Sequence, residues 1–217
     1  MSALEDSVEF ITNQHPRCPC VLILDTSASM KGAPIDALNA GLLTLREELL
    51  NDRLAKKRIE IAVIEFNSSV RVVQDFVTAE NFEPPTLTAS GLTNMAGGIN
   101  EALDLIQRRK STYRSNGVPY YRPWAFLITD GSPTSDMADA SRRVHEEDQD
   151  KRIAFFAVGV EGADFGCLRD ISAREPKKLD GLKFRELFLW LSGSMKRVSQ
   201  SRVGDMVPLE KGTWEAV

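Results

Sequence analysis

Five oxygen-bearing side chains fall where the sequence turns from apolar to polar. Asp25, Ser27 and Ser29 alternate in Asp25-Thr26-Ser27-Ala28-Ser29, Thr93 follows Gly91-Leu92, and Asp130 precedes Gly131. Two carboxylates and three hydroxyls form a set of hard oxygen donors. Mg²⁺ takes oxygens in octahedral geometry at roughly 2.1 Å and often keeps water in its shell; Mn²⁺ and Ca²⁺ are alternative ions for the same donors. Because the hydroxyls are neutral, two carboxylates leave such an ion electrophilic enough to accept an anionic oxygen from outside the domain. A carboxylate on a protein partner is the natural last ligand. Each fragment alone has a plainer reading: Ser or Asp after a strand commonly caps a helix, and Asp-Gly commonly makes a turn. Their joint arrival at strand ends favours a metal site.

Those strand ends are legible from apolar patterning. Val21-Leu22-Ile23-Leu24 is a short continuous apolar block stopping at Asp25, the pattern of a strand buried on both faces. Trp124-Ala125-Phe126-Leu127-Ile128-Thr129 repeats it and stops at Asp130. Residues 59–66 and 70–77 are two runs rich in β-branched residues, separated only by Asn67-Ser68-Ser69, a turn short enough to require an antiparallel hairpin with one strand at a sheet edge. The apolar run 153–160 is a further strand.

Helical spacing appears over 34–50, where Ile35, Leu38, Leu42, Leu45 and Leu49 recur at intervals of three and four, and Pro34 suits a first helical position. It appears again around Ile99, Ala102, Leu103 and Ile106, over the polar stretch 135–150, and over 183–196. Strands alternating with helices predict an α/β fold with a parallel sheet covered on both faces. Ligands of such sheets bind beyond the carboxyl ends of the strands, where crossovers leave in opposite directions. Asp25 and Asp130 occupy that edge.

The chain has 217 residues, 42% of them hydrophobic, enough for one compact domain. The reading assigns 1–17 to an N-terminal extension, 18–199 to the domain and 200–217 to a tail that either packs as a strap or stays mobile. A net charge of -4 provides no field to concentrate nucleic acid. Lys56-Lys57-Arg58 and Arg108-Arg109-Lys110 read as basic ends of helical stretches, complementing the terminal carbonyls. The 3 cysteines, Cys18, Cys20 and Cys167, form neither a disulfide framework nor a paired metal motif, so Cys18-Pro19-Cys20 reads as two reduced thiols. The N-terminal stretch lacks the basic and apolar regions of a signal peptide, and no run approaches the ~20 apolar residues of a membrane span. The expectation is a cytoplasmic protein without a membrane partner.

Asp25-Thr26-Ser27-Ala28-Ser29, Thr93 and the Thr129-Asp130-Gly131 corner resemble, in order and spacing, the metal-ion-dependent adhesion site of von Willebrand factor type A domains. The resemblance runs from about Val21 to Ser199, with one departure: the usual motif has Gly where this chain has Ala28. It implies a doubly wound, mostly parallel six-stranded sheet with one antiparallel edge strand and helices on both faces. It also implies Mg²⁺ held directly by Ser27, Ser29 and Thr93, with Asp25 and Asp130 commonly acting through water. Gly32-Ala33-Pro34-Ile35, Asn39-Ala40-Gly41, Leu87-Thr88-Ala89-Ser90-Gly91 and Phe126-Leu127-Ile128-Thr129-Asp130-Gly131 are similar to the bacterial tellurite-resistance-associated, TerY-like branch. That branch implies a stress-response or defence setting beside a protein kinase and a PP2C-type phosphatase.

Two other readings compete. A metal-assisted phosphoester hydrolase could use Mg²⁺ beside carboxylates to activate water, but a haloacid-dehalogenase-type phosphatase needs an aspartate where Ser27 stands. His15 precedes a proline and His145 lies in a charged helix, which leaves no evident base. Neither a Gly-x-Ser-x-Gly elbow nor a glycine-rich phosphate loop follows a strand. The other is a scaffold binding elsewhere without metal, through 194–201 or the tail. Glu65, Trp124 and Trp190 read as edge and core residues.

Overall fold

The structure, a computed structural model, describes residues 10–216; the first nine residues of the expected extension lie outside that range. Six strands, β1 (Cys18–Asp25), β2 (Ile59–Phe66), β3 (Val70–Thr78), β4 (Trp124–Thr129), β5 (Ala154–Gly159) and β6 (Lys177–Lys178), form one sheet in the order β3-β2-β1-β4-β5-β6. All neighbours are parallel except β2 and β3, the hairpin that the three-residue turn requires. This is the doubly wound α/β fold with one antiparallel edge.

The helices are α1 (Ala33–Leu50), the single turn α2 (Ala55–Arg58), α3 (Met95–Ser115), α4 (Ala138–Gln149), α5 (Phe165–Ile171) and α6 (Phe184–Gln200). Alternation along β1 divides the core. Cys18, Cys20, Leu22 and Leu24 face α1 and α6, while Val21 and Ile23 face α3 with α4 and α5 beyond it. β1 is therefore buried along its whole length, which is why its apolar run is continuous. Gly41 sits where a Cβ would fall 2.5 Å from the Phe188 ring, so α1 and α6 cross closely there. Cys18 and Cys20 are free, and burial pushes the Cys18 thiol up to about 12.

The run Arg108-Arg109-Lys110 does not close a helix. α3 continues to Ser115, and Arg109 and Lys110 are buried within it. Arg109 donates to both oxygens of Glu60 at 2.8 Å, Arg17 donates to Glu60 at 2.9 Å, and the Tyr113 hydroxyl donates to the same carboxylate. Burial by itself would lower the Arg109 pKa, but the Glu60 contacts outweigh it and raise it. Phe10 lies 5.1 Å from both guanidinium groups. This cluster stands at the amino ends of β1 and β2, the end of the sheet away from Asp25.

The tail packs as a strap. Trp214 is buried edge-on to Trp190 at 5.5 Å, Ala216 donates to the Lys178 carbonyl at 2.9 Å, and Trp190 Nε1 donates to the Glu210 carbonyl at 2.8 Å. Glu65 pairs with Arg71 across the hairpin at 2.8 Å, and Trp124 packs on Phe156 at 5.0 Å. Among the described residues, no helix is long and apolar enough to cross a membrane.

Candidate metal centre

β1 and β4 are parallel neighbours, so Asp25 at the end of one and Asp130 just past the other emerge together. β1 leads through α1 towards β2 on one side, and β4 leads through α4 towards β5 on the other. The crevice between them is the point where the winding reverses.

Beyond Asp25 the chain is extended at Ser27 (φ -66, ψ 168) and then makes one 3-10 turn, Ala28–Met30. That geometry turns the two serines to the same side. The Ser27 N–H donates to Asp25 Oδ1 at 2.8 Å, the Ser27 and Ser29 hydroxyls are 3.0 Å apart, and Ser29 Oγ donates to Asp130 Oδ1 at 2.7 Å. Lys151 is the one non-glycine with positive φ among the described residues. Ala28, in place of the usual glycine, therefore carries no left-handed strain.

Thr93 comes from a loop tied down on both sides. Ala28 N–H donates to the Gly91 carbonyl at 3.0 Å, Ser90 N–H to the Thr26 carbonyl at 2.8 Å, Asn94 N–H to the Asn67 carbonyl at 2.8 Å, and Thr134 N–H to the Thr93 carbonyl at 3.0 Å. Leu92 N–H donates to Ser68 Oγ at 2.9 Å. Gly91 has φ 76, and a Cβ there would fall 2.5 Å from that same Ser68 oxygen, so the approach requires glycine. Gly131 is the opposite wall: a Cβ on it would lie 3.0 Å from Thr93 Oγ1 and 3.5 Å from Asp25 Oδ2. Asp25, Ser27, Ser29, Thr93 and Asp130 thus line one crevice. Asp25 lies at its floor with 0% exposure, Ser27, Thr93 and Asp130 are buried above it, and Ser29 is exposed at the mouth.

Burial raises the Asp25 pKa, opposed by its hydrogen bonds from Ser27 and Thr129 and reinforced by the charge of Asp130. Burial likewise raises Asp130, opposed by the Ser29 hydroxyl.

A family model for the von Willebrand factor type A domain matches residues 20–184. The chain belongs to that family. Among solved structures, this type A domain is similar to the pilus adhesin SpaC of Lactobacillus rhamnosus GG in its open conformation, at 14% identity and TM-score 0.65, over 86% of this chain and 31% of that one. It is similar to proximal thread matrix protein 1 of the mussel byssus with a zinc-occupied MIDAS motif, at 14% identity and TM-score 0.58, over 84% and 48%. It is also similar to the ArnB paralog VWA2 of Sulfolobus acidocaldarius, at 16% identity and TM-score 0.58, over 83% and 46%. The chain spans under half the length of each of these, and at such identities the likeness establishes the fold. No curated protein matches the chain.

Type A domains often hold a divalent ion at this crevice, and the side chains here suit one. Octahedral ligands at roughly 2.1 Å stand about 3 Å from their neighbours, close to the 3.0 Å between Ser27 and Ser29 and the 2.7 Å from Ser29 to Asp130. The missing Cβ of Gly131 leaves room beside Thr93 and Asp25. Among the described residues no three His, Cys, Asp or Glu side chains gather as a metal cluster, which leaves the hydroxyl-rich donors as the candidate.

Three residues that position this type A site fall outside the sequence-based choice. Thr129 donates to the second oxygen of Asp25 while accepting from Gly131 N–H at 3.1 Å. Asn67 donates to Thr26 Oγ1 at 3.2 Å, and Ser68 holds Leu92. Thr129 carries a signal, as the last residue of an apolar strand just before an aspartate. Asn67 and Ser68 carry none beyond the polarity of a hairpin turn.

Proposed function

We propose that this chain is a metal-dependent protein-interaction module, in which Asp25, Ser27, Ser29, Thr93 and Asp130 hold a divalent ion, Mg²⁺ foremost and Mn²⁺ or Ca²⁺ otherwise. When bound, the ion supplies an open Lewis-acid position for a carboxylate of a protein partner. The observation carrying this reading is the unbroken chain of short contacts Ser27–Ser29–Asp130, which joins two separate strand ends with octahedral-edge spacing. Thr93 and Asp25 present the remaining oxygens around Gly131. The zinc-occupied MIDAS motif of the mussel protein supports metal use at such a crevice.

The role is binding and not catalysis. His145 lies on α4 with Nε2 3.0 Å from the Asp170 carbonyl, and His15 precedes β1 at the far end of the sheet, so neither supplies a base at the crevice. The finer setting, a cytoplasmic, TerY-like stress-response or defence system with a kinase and phosphatase nearby, rests on the sequence resemblance alone. Pull-down of partners with Mg²⁺, with EDTA and with Asp25→Ala tests the mechanism. The expected result is recovery with Mg²⁺ only, and equal recovery in all three overturns the metal bridge in favour of the metal-independent scaffold. Phosphoester hydrolysis by the purified chain, lost in Asp25→Ala, would favour the hydrolase.

A further inference from the structure

At the amino end of the sheet, α2 and the segment leading into β1 enclose two adjoining concavities of ≈ 560 and ≈ 520 Å³ that share His15 and Lys57. One is completed by Arg53, Leu54 and Lys56, the other by residues 11–14 and Glu80. Among the described residues, the side chains of Arg53, Lys56 and Lys57 have no hydrogen-bond or ion-pair partner. Many cations elsewhere in the molecule are paired, Arg46 with Glu83 and Lys196 with Glu48 among them, so an unpaired trio within the short segment from Arg53 to Lys57 is a local excess of charge.

Among the described residues the acids nearby offset it only in part: Asp52, held by the amides of Leu54 at 2.9 Å and Ala55 at 2.8 Å and by Gln200 at 2.9 Å, and Glu80 at the rim stand against three cations. Burial first, and then the charges of Arg58, Lys57 and Arg17, hold the His15 pKa below its ordinary value. A chain of net charge -4 therefore carries a positive corner. That corner is also apolar, since Ile11 and Leu54, 72% and 37% exposed, line the same concavities.

We propose that this corner is a docking surface for an acidic peptide segment bearing apolar side chains, with Arg53, Lys56 and Lys57 facing its carboxylates and Ile11 and Leu54 receiving its apolar residues. Charge complementarity selects an acidic occupant. The mixture with exposed aliphatics favours peptide over nucleic acid, because a phosphate backbone offers nothing to Ile11 or Leu54 and is recognised along extended basic stripes. The corner lies at the amino ends of β1 and β2, opposite the metal centre, so the two surfaces can be occupied together.

Fluorescence anisotropy with a short labelled peptide of glutamates and leucines tests the assignment on the whole chain, in EDTA so that the metal centre takes no part. Saturable binding is expected, weakened about tenfold by the double substitution Lys56→Glu and Lys57→Glu and weakened also by Leu54→Ser. Lys57 and Leu54 are exposed and Lys56 is half-buried, and circular dichroism of each variant verifies the fold. Absence of binding to the wild type, equal affinity in the charge-reversed variant, or tighter binding of an oligothymidine than of the peptide would each overturn it.

Discussion

Replacing Asp25 with asparagine separates what the metal centre costs the fold from what it does. Asp25 is fully buried, and its two oxygens accept from the Ser27 N–H and the Thr129 hydroxyl. Burial outweighs those bonds and raises its pKa, with Asp130 adding like charge. An acid whose folded pKa lies above its unfolded one binds its proton more tightly when folded. Its contribution is therefore most favourable below the unfolded pKa and is lost as pH rises through the folded pKa. At neutral pH the metal-free wild type carries that cost, and an amide of the same shape does not. The substituted side chain would keep an oxygen for the Ser27 N–H, while Thr129 turns its hydroxyl to accept from the new amide nitrogen. In EDTA at neutral pH, Asp25→Asn is accordingly expected to melt at or above the wild type.

With ion the order reverses. A ligand at a hundred times its Kd stabilises the native state by about 2.7 kcal/mol. For a chain of this size, at ~2–4 °C per kcal/mol, the wild type then gains about 5–11 °C. Asp25→Asn gains none. Scanning calorimetry in EDTA and in rising Mg²⁺ reads both effects. An equal Mg²⁺ gain in the variant would refute the assignment of Asp25 to the ion, and a variant melting well below the wild type in EDTA would make this carboxylate a structural group.

Gly131→Ala puts a methyl 3.0 Å from Thr93 Oγ1, so it is expected to cost about 1 kcal/mol in EDTA and to remove most of the Mg²⁺ gain in the same melts. Glu60→Ala leaves the buried Arg17 and Arg109 guanidiniums facing each other without their carboxylate, a loss of about 3–5 kcal/mol. The melting temperature should fall by about 6–20 °C, with the Mg²⁺ response of the surviving native protein intact. Trp214→Ala removes a side chain 1% exposed and should cost about 3–5 kcal/mol. Because Asp180 N–H donates to the Trp214 carbonyl at 2.8 Å, hydrogen exchange at Asp180 should accelerate well before global unfolding.

The sheet is legible where burial forces a pattern. Val21-Leu22-Ile23-Leu24 and Trp124–Thr129 read as central strands because neighbours on both faces leave no polar position. The hairpin follows from the shortness of Asn67-Ser68-Ser69. β6, with 2 residues, and α5, with 7, lie below the length at which period carries information. The Arg108-Arg109-Lys110 run misleads because three adjacent cations suggest a solvated end, and only the fold brings Glu60 from β2 against Arg109. Phe10 and Arg17 fall within a segment that reads as polar, yet both are buried at the amino end of the sheet. The convergence of the five oxygen-bearing residues on one crevice is legible, since strand ends are visible in sequence. The positioning residues Asn67 and Ser68 are not, because they act through hydrogen bonds to Thr26 and Leu92, far away in the chain.

The composition of the crevice bears on why an ion would be used for recognition and not for folding. A site of three or four carboxylates would be heavily strained without metal, since each buried charge raises the others' pKa. Here two carboxylates are already shifted upward by burial, and the other donors are hydroxyls. A hydroxyl can donate to a carboxylate when no ion is present and turn its lone pairs to a cation when one is. Ser29 does the first with Asp130, and Thr129 does it with Asp25. Both carboxylates therefore hold a hydroxyl in the metal-free fold, unlike a small zinc domain whose binding free energy is its folding free energy. The core beneath is complete without the site, with β1 wholly buried between two layers of helices. An ion added to such a frame would leave the architecture as it is and change the charge at its mouth, where Ser29 is exposed.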